Sequence, residues 1–332
     1  MKYSIIVLFA LASLFSNALA NDGVAALSAG GIIMGKTDAV AMKKEVLYVS
    51  YDKISVAYEF LNESGSDVEE TIFFPLPEYT ADYHGSKEYA GQPSHFEIEV
   101  DGKNVNYKTI VAAKMGADDV SKELKQLGLS DEQIAYFPSF SLFGQKVKPL
   151  TAKQRQQFMA RGLLAQIGGD DAWIPAWSVA IQYVWMQKFP VGRIVKISHR
   201  YTPFVSYGPS EFTLGESFNK DYCADKNFLK SWHKLAAEKN RQVVANTVSY
   251  ILKTGNTWKN GIEDFTLNLI KKDPGELISL CFPGDFKKIN PTTLQIHLTN
   301  FKPQQDLRVY FGNIENTSGE PGVKPRLSHL RD

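Results

Sequence analysis

Apolar residues return at every second position through much of this chain, the period of a β-strand with one buried face. The clearest stretch runs from Val179 to Pro203. There Val179, Ile181, Tyr183 and Trp185 share one face, Phe189-Pro190-Val191-Gly192 supplies turn chemistry, and Val195, Ile197, His199 and Tyr201 share a face on the return, which predicts a long β-hairpin. Ile54, Val56, Tyr58 and Phe60 alternate in the same way, and a turn over Asn62 to Asp67 leads into a second run, Val68 to Phe74, as in a meander. His95 to Val100 and Val105 to Ile110 flank Asp101-Gly102, a dipeptide suited to a two-residue hairpin turn. Nearer the C-terminus, Thr247 to Thr254, Phe265 to Ile270, Leu277 to Phe282, Thr293 to Thr299 and Leu307 to Phe311 are short β-prone runs with turn residues between them, at the spacing of a β-sandwich.

The period changes twice. After Lys114, Val120, Leu124 and Leu127 stand at helical spacing, Ser130-Asp131-Glu132 reads as a helix start, and Thr151-x-x-Gln154 matches a capping box ahead of Phe158, Leu163 and Leu164. Beyond Cys223, Phe228, Leu229, Trp232 and Leu235 share one face of a helix. The fold class is therefore mainly β with α insertions (α+β): antiparallel β-sandwich-like sheets, a helical insertion at about 115–166 and a helix at about 225–239. As domains this gives an N-terminal β-rich unit over 21–212 with a helical insertion at 113–175, a C-terminal β-rich unit over 213–312, and a mobile tail at 313–332 that lacks a core pattern.

Residues 1–20 stand outside that layout. Lys2 precedes an apolar run from Ile5 to Phe15, and Ala18-Leu19-Ala20 presents small residues at both positions of a cleavage site, the pattern of a secretory signal peptide cut between Ala20 and Asn21. No later apolar run approaches the roughly 18 residues of a membrane-spanning helix. The mature chain is thus expected to be exported to the periplasm, soluble and without a membrane span. A formal net charge of +1 offers no basic field for nucleic acid or anionic lipid. Cys223 and Cys281 are the only two cysteines. In an oxidising compartment a lone pair reads as one disulfide, with two free thiols or a metal site as the alternatives.

Several residues, taken in order, carry a resemblance. Asp22, the Ala/Gly-rich mature start, Tyr183-x-Trp185-x-Gln187-x-Phe189-Pro190-x-Gly192, His199-Arg200-Tyr201-x-Pro203, Tyr222-Cys223-Ala224-Asp225, Tyr250-Ile251-Leu252-x-Thr254-Gly255-Asn256-x-Trp258, Asp264-Phe265-x-Leu267 and Cys281 together resemble the exported bacterial domain-of-unknown-function 4424 family, over nearly the whole mature chain. The resemblance implies a secreted or periplasmic bacterial protein without an assigned activity. Lys259-Asn260-Gly261-Ile262 departs from the Gly-Pro-Ile more usual in the family after the tryptophan.

Explicit catalytic chemistry is absent from the sequence. Gly30 to Thr37, GGIIMGKT, satisfies the phosphate-loop spacing, but an Ala/Gly arm precedes it and β-type sequence follows, where a phosphate loop needs a strand and then a helix. The six histidines form no HExxH and no i, i+4 pair, and there is no GxSxG, so no metal, cofactor or catalytic residue is assigned. His199, inward with Tyr201, reads as a hydrogen-bonded structural histidine before a catalytic one. The candidate ligand-binding residues are aromatics beside polar groups: Asp170, Asp171, Trp173 and Trp177 in one loop, Asn256 and Trp258 in another, each set with the alternative that its tryptophans are core anchors. Two function classes follow. One is a non-catalytic envelope protein that binds a small ligand or a protein partner; the other is a hydrolase or transferase acting on cell-envelope glycan through scattered Asp/Glu residues. A structural part of a larger assembly is a third, and would expose an apolar patch or an unpaired sheet edge.

Overall fold

The computed structural model describes residues 22–28, 31–80, 94–135, 150–166, 173–203, 205–207, 216–238 and 245–312. Among them twelve strands reach six residues or more: β1 (Gly23–Ser28), β2 (Val40–Val49), β3 (Ile54–Asn62), β4 (Val68–Pro75), β5 (Ser94–Val100), β6 (Lys108–Met115), β7 (Ser178–Phe189), β8 (Ile194–Thr202), β9 (Ala245–Tyr250), β10 (Lys259–Ile270), β11 (Thr293–Phe301) and β12 (Leu307–Gly312). The helices are α1 (Ser121–Gln126), α2 (Asp131–Ala135), α3 (Ala152–Ala160), α4 (Glu216–Tyr222) and α5 (Lys226–Glu238). The mainly-β α+β class is what the alternation predicts. The proposed signal peptide, the C-terminal tail, Asp170 and Asp171 lie outside the described residues.

Two large sheets face each other. One runs β6, β7, β4, β1 and the short strand Gly31–Met34; the other runs β11, β10, β2, β3, β8 and β5, with short strands at both edges. The long hairpin expected at 179–203 is not one. β7 pairs with β4 and β6 in the first sheet, and β8 pairs with β3 and β5 in the second, so the Pro190–Gly192 turn is a corner between layers. β3 to β4 and β5 to β6 cross between the sheets in the same way, which corrects the meander. Side-chain alternation was right at each position: Val179, Ile181, Tyr183 and Trp185 on β7 and Val195, Ile197, His199 and Tyr201 on β8 are all buried. A period of two reports which face is inward, and both strands of a sandwich corner point their inward faces at the same core.

Hydrogen bonds explain the corner. Asn62, at the end of β3 and 1% exposed, donates from Nδ2 to the carbonyls of Ser66 (2.8 Å) and Phe189 (2.7 Å). The Val191 N–H donates to Asp67 Oδ1 at 2.9 Å, and the Gly192 N–H to the Asn62 carbonyl at 3.0 Å. The two crossings are thereby clipped together, and their backbone groups are satisfied without a ladder between β7 and β8. At the Asp101-Gly102 turn the predicted chemistry holds, with φ of 48° and 76°, the two positive values of a type I′ turn.

Strands from both sides of residue 212 share the second sheet. β10 lies parallel to β2, with Leu267 opposite Leu47, and the main apolar core draws on residues from Val24 to Phe311. A second, smaller core gathers Phe218 and Tyr222 of α4, Trp232 and Ala236 of α5, and Tyr310 of β12. Gly312 is required there, since a Cβ at that position would stand 2.4 Å from Trp232 Cζ3. Thr151 and Gln154 form the predicted capping box of α3, and Ser130 and Gln133 exchange the equivalent pair of bonds at the start of α2.

Candidate functional site

The tryptophans singled out in the sequence are anchors. Trp177 is 1% exposed and its Nε1 donates to the Ile134 carbonyl at 3.2 Å, fixing α2 to β7. Trp173 is half-buried against the same core on the short strand Trp173–Pro175. Trp258 is fully buried between Phe60 and Phe189, and Asn256 donates to the Pro303 carbonyl at 2.8 Å. Neither Trp177 nor Trp258 presents a free ring face for a sugar or cation. The phosphate-loop match is likewise structural: Gly31–Met34 is a strand beside β1, Thr37 donates its N–H to the Thr257 carbonyl at 2.9 Å, and the next element is β2 rather than a helix.

A polar cluster lies inside the sandwich. Asp22 and His199, both with fully buried side chains, share a hydrogen bond of 2.9 Å between Oδ1 and Nε2. The Trp258 Nε1–H donates to the Asp22 carbonyl at 2.6 Å, and the Val24 N–H to Thr257 Oγ1 at 3.2 Å, so the start of β1 is sewn to the turn before β10. Tyr58 and Tyr250 join hydroxyls at 2.9 Å beside buried Glu45. Burial raises the Asp22 carboxyl above the usual carboxylate range, against the opposing pull of His199, and raises both phenols well above theirs. Ring contacts from Phe74, Phe96, Tyr58 and Trp185 wall His199 in. The cluster is sealed from solvent, so it holds the fold together and cannot meet a substrate.

Among the described residues, two open cavities lie beside the disulfide. Cys223, immediately after α4, is joined to Cys281, two residues beyond the short strand Leu277–Ser279. On one side of Cys281 a cleft of about 430 Å³ lies between the segment after β4, the end of α4 and strands β9 and β12. On the other side a groove of about 530 Å³ is walled by Phe282, Pro283, Leu298 and Phe301. Both are bordered by Cys281 and Gln305, and Gln305 Nε2 donates to the Cys281 carbonyl at 2.6 Å.

Charges in the cleft are unequally occupied. Glu78 is engaged by Ser178 and by Lys114 at 3.3 Å. Asp306 Oδ1 accepts the N–H groups of Leu252 (3.0 Å) and Lys253 (3.2 Å), capping the turn at Lys253–Thr257, and burial raises its carboxyl above the usual range. Asp221 stands 3.9 Å from Arg308, too far for a hydrogen bond. Lys220 has no carboxylate within 4 Å among the described residues. Lys220 is therefore the cation of the cleft without a carboxylate partner among the described residues, and Arg308 is held only by the 3.9 Å ion pair to Asp221. On the outer face of the second sheet two smaller depressions, of about 240 and 330 Å³, are bordered by the ion pairs of Arg200 with Glu97 and Glu99 and of Lys196 with Glu59, and by Lys53 and Lys44. Sequence reading missed Lys220, Asp306 and Arg308; only Cys223 and Cys281 marked the region.

A family profile described as a domain of unknown function, DUF4424, matches residues 20–310. This chain belongs to the DUF4424 family. The match contains the whole cleft, the groove, both cysteines and the Asp22–His199 pair. A comparison with curated proteins finds no match for this DUF4424 protein. Among solved structures it is similar to a Legionella pneumophila protein described as a candidate nutrient binding protein, with 16% identity and a TM-score of 0.42 over 89% of this chain and 72% of that one. It is similar also to yeast LTA4 hydrolase, with 8% identity and a TM-score of 0.26 over 83% of this chain and 29% of that one. Neither likeness is close enough to transfer a role to DUF4424. Among the described residues no helix is long and apolar enough to cross a membrane, and no three His, Cys, Asp or Glu side chains gather as metal ligands.

Proposed function

We propose that this DUF4424 protein is an exported periplasmic binding protein without catalytic activity, and that it holds a small ligand in the cleft beside Cys281. Export is supported by Lys2, the apolar run to Phe15 and Ala18-Leu19-Ala20, and a disulfide persists in such an oxidising compartment. The observation that carries the binding reading is the cleft itself: about 430 Å³, within the usual range for small-molecule sites, with Lys220 unpaired among the described residues and Arg308 held only by a 3.9 Å ion pair to Asp221, while Glu78 and Asp306 are engaged by the protein.

One observation favours a second reading, hydrolysis or transfer on envelope glycan. Glu78, Asp221 and Asp306 line the same cleft, and a buried carboxyl that keeps its proton can serve as a general acid. Against it, the Asp306 and Glu78 carboxylates are fixed by internal hydrogen bonds. One experiment separates the two. Protein from its native exported fraction is examined by native mass spectrometry beside Ser249→Trp, which fills the cleft from β9, and Asp306→Asn is assayed on envelope glycan fragments. The binding reading expects a bound mass that Ser249→Trp loses, and no turnover; turnover that Asp306→Asn abolishes would establish the enzyme instead. A bound mass that Ser249→Trp retains would place the ligand elsewhere.

A further inference from the structure

Two cavities that share a wall invite one ligand. The cleft and the groove are both bordered by Cys281 and Gln305, and the Gln305 side chain donates to the Cys281 carbonyl at 2.6 Å, so they adjoin along one exposed rim. Their chemistry differs. The groove presents Phe282, Pro283, Leu298 and Phe301, and the ring contacts Phe282–Phe301 (centroids 5.7 Å apart) and Phe265–Phe301 (4.9 Å) hold its floor in place. Lys302 is the one charged residue on its border. The cleft presents Lys220 and Arg308; of its three carboxylates, Glu78 is engaged by Lys114 and Ser178, Asp306 by two backbone N–H groups, and Asp221 stands 3.9 Å from Arg308.

Resting on the reading of the cleft as a ligand site, we infer that the ligand is an amphipathic anion, with its carboxylate or phosphate at Lys220 and Arg308 and its apolar chain along the Phe282–Phe301 groove. Three cationic side chains, Lys220, Lys302 and Arg308, border the two adjoining cavities, and Lys220 and Lys302 have no carboxylate partner among the described residues. A guanidinium and an ammonium suit an oxyanion head, the first as a fork and the second as a point charge. A neutral sugar would leave Lys220 unmatched. A small inorganic anion would leave the groove wet.

The apolar contribution can be worked as a ratio. Each methylene removed from water strengthens binding about fourfold when fully buried. Dodecanoate has eight methylenes more than butyrate, and a groove open on one side buries only part of each, so a gain of about a hundredfold is the expected minimum. The head-group contribution is read on Lys220→Gln combined with Arg308→Gln, both exposed positions whose loss spares the core.

The test is calorimetric titration of the mature, oxidised protein with dodecanoate, dodecyl phosphate, butyrate, inorganic phosphate and neutral dodecyl maltoside. Dodecanoate or dodecyl phosphate is expected to bind saturably, butyrate and inorganic phosphate at least about a hundredfold more weakly, and the Lys220/Arg308 double variant to lose at least about tenfold for the long anions alone. Thr299→Trp, an exposed position on the groove, is expected to lower dodecanoate affinity while leaving butyrate unchanged. Whichever long anion binds better distinguishes a carboxylate from a phosphate head. Butyrate or phosphate binding as tightly as the long chains overturns the amphipathic ligand and leaves the cleft as an anion site. Equal binding of the maltoside, indifferent to the double variant, overturns the anionic head. No saturable heat for either long anion up to about 1 mM overturns the inference. The cleft reading would then still be decided by the Ser249→Trp comparison.

Discussion

Reduction of the Cys223–Cys281 bond is the perturbation whose size the structure sets most directly. The cysteines are 58 residues apart, and in the chain-entropy treatment a closed loop of that length removes about 4 kcal/mol of denatured-state freedom. At this chain length a loss of 1 kcal/mol lowers Tm by about 2 °C, which gives a fall of about 8 °C on reduction. The bond ties the end of α4 to the segment beyond Leu277–Ser279, and between them lies the smaller core of Phe218, Tyr222, Trp232 and Tyr310. The loss should therefore appear first as increased amide exchange in α4 and α5, ahead of the large sheets. The assay is guanidinium unfolding and hydrogen exchange with and without reductant, with alkylation mass to prove that both thiols are free, and Cys223→Ser with Cys281→Ser as a permanent reduced form. Because Cys281 borders both cavities, affinity for a cleft ligand should fall as well. An unchanged unfolding midpoint in fully alkylated protein would refute the argument. It would mean that the smaller core closes without the crosslink.

Two other outcomes follow from buried groups. Trp177→Ala should cost about 3–5 kcal/mol, the usual figure for a buried aromatic removed from a core, and should release α2 from β7 because the bond to the Ile134 carbonyl goes with it. Wild-type unfolding with reduced ligand affinity alone would return Trp177 to a binding role. Asp22 is held by burial with its carboxyl raised, so the native state keeps that proton better than the unfolded chain does. Its stabilising contribution is then full below the unfolded value of about 3.9 and is lost as pH rises through the raised native value. Asp22→Asn should consequently gain on the wild type as pH rises through that window, by at most about 1.4 kcal/mol per pH unit; a difference that stays flat from pH 4 to 7 would show that Asp22 does not titrate with folding.

The amino-acid sequence by itself determined which side chains face inward, because burial follows a local period. Every residue assigned an inward face on 54–60, 179–185 and 195–201 is buried. It determined the local switches as well: the capping box at Thr151, the helix start at Ser130, the Asp101-Gly102 turn and the amphipathic α5. The cysteine pair was legible because only two exist. Which strand lies beside which was not. A turn such as Phe189 to Gly192 has the same local chemistry whether it closes a hairpin or carries the chain to the opposite sheet, and here Asn62 and Asp67, more than a hundred residues earlier, decide the matter. The same holds for function. Whether Trp177 and Trp258 bind a ligand or anchor the core was open in the sequence because their partners, Ile134 and Asp22, are 43 and 236 residues away. Lys220, Asp306 and Arg308 are unremarkable in sequence and come to line one cleft only where the end of α4, tied by the Cys223–Cys281 bond to the segment beyond Leu277–Ser279, lies beside β12. Packing at long sequence separation brings those charges together, and which of them remain unspent depends on neighbours that only the tertiary structure supplies.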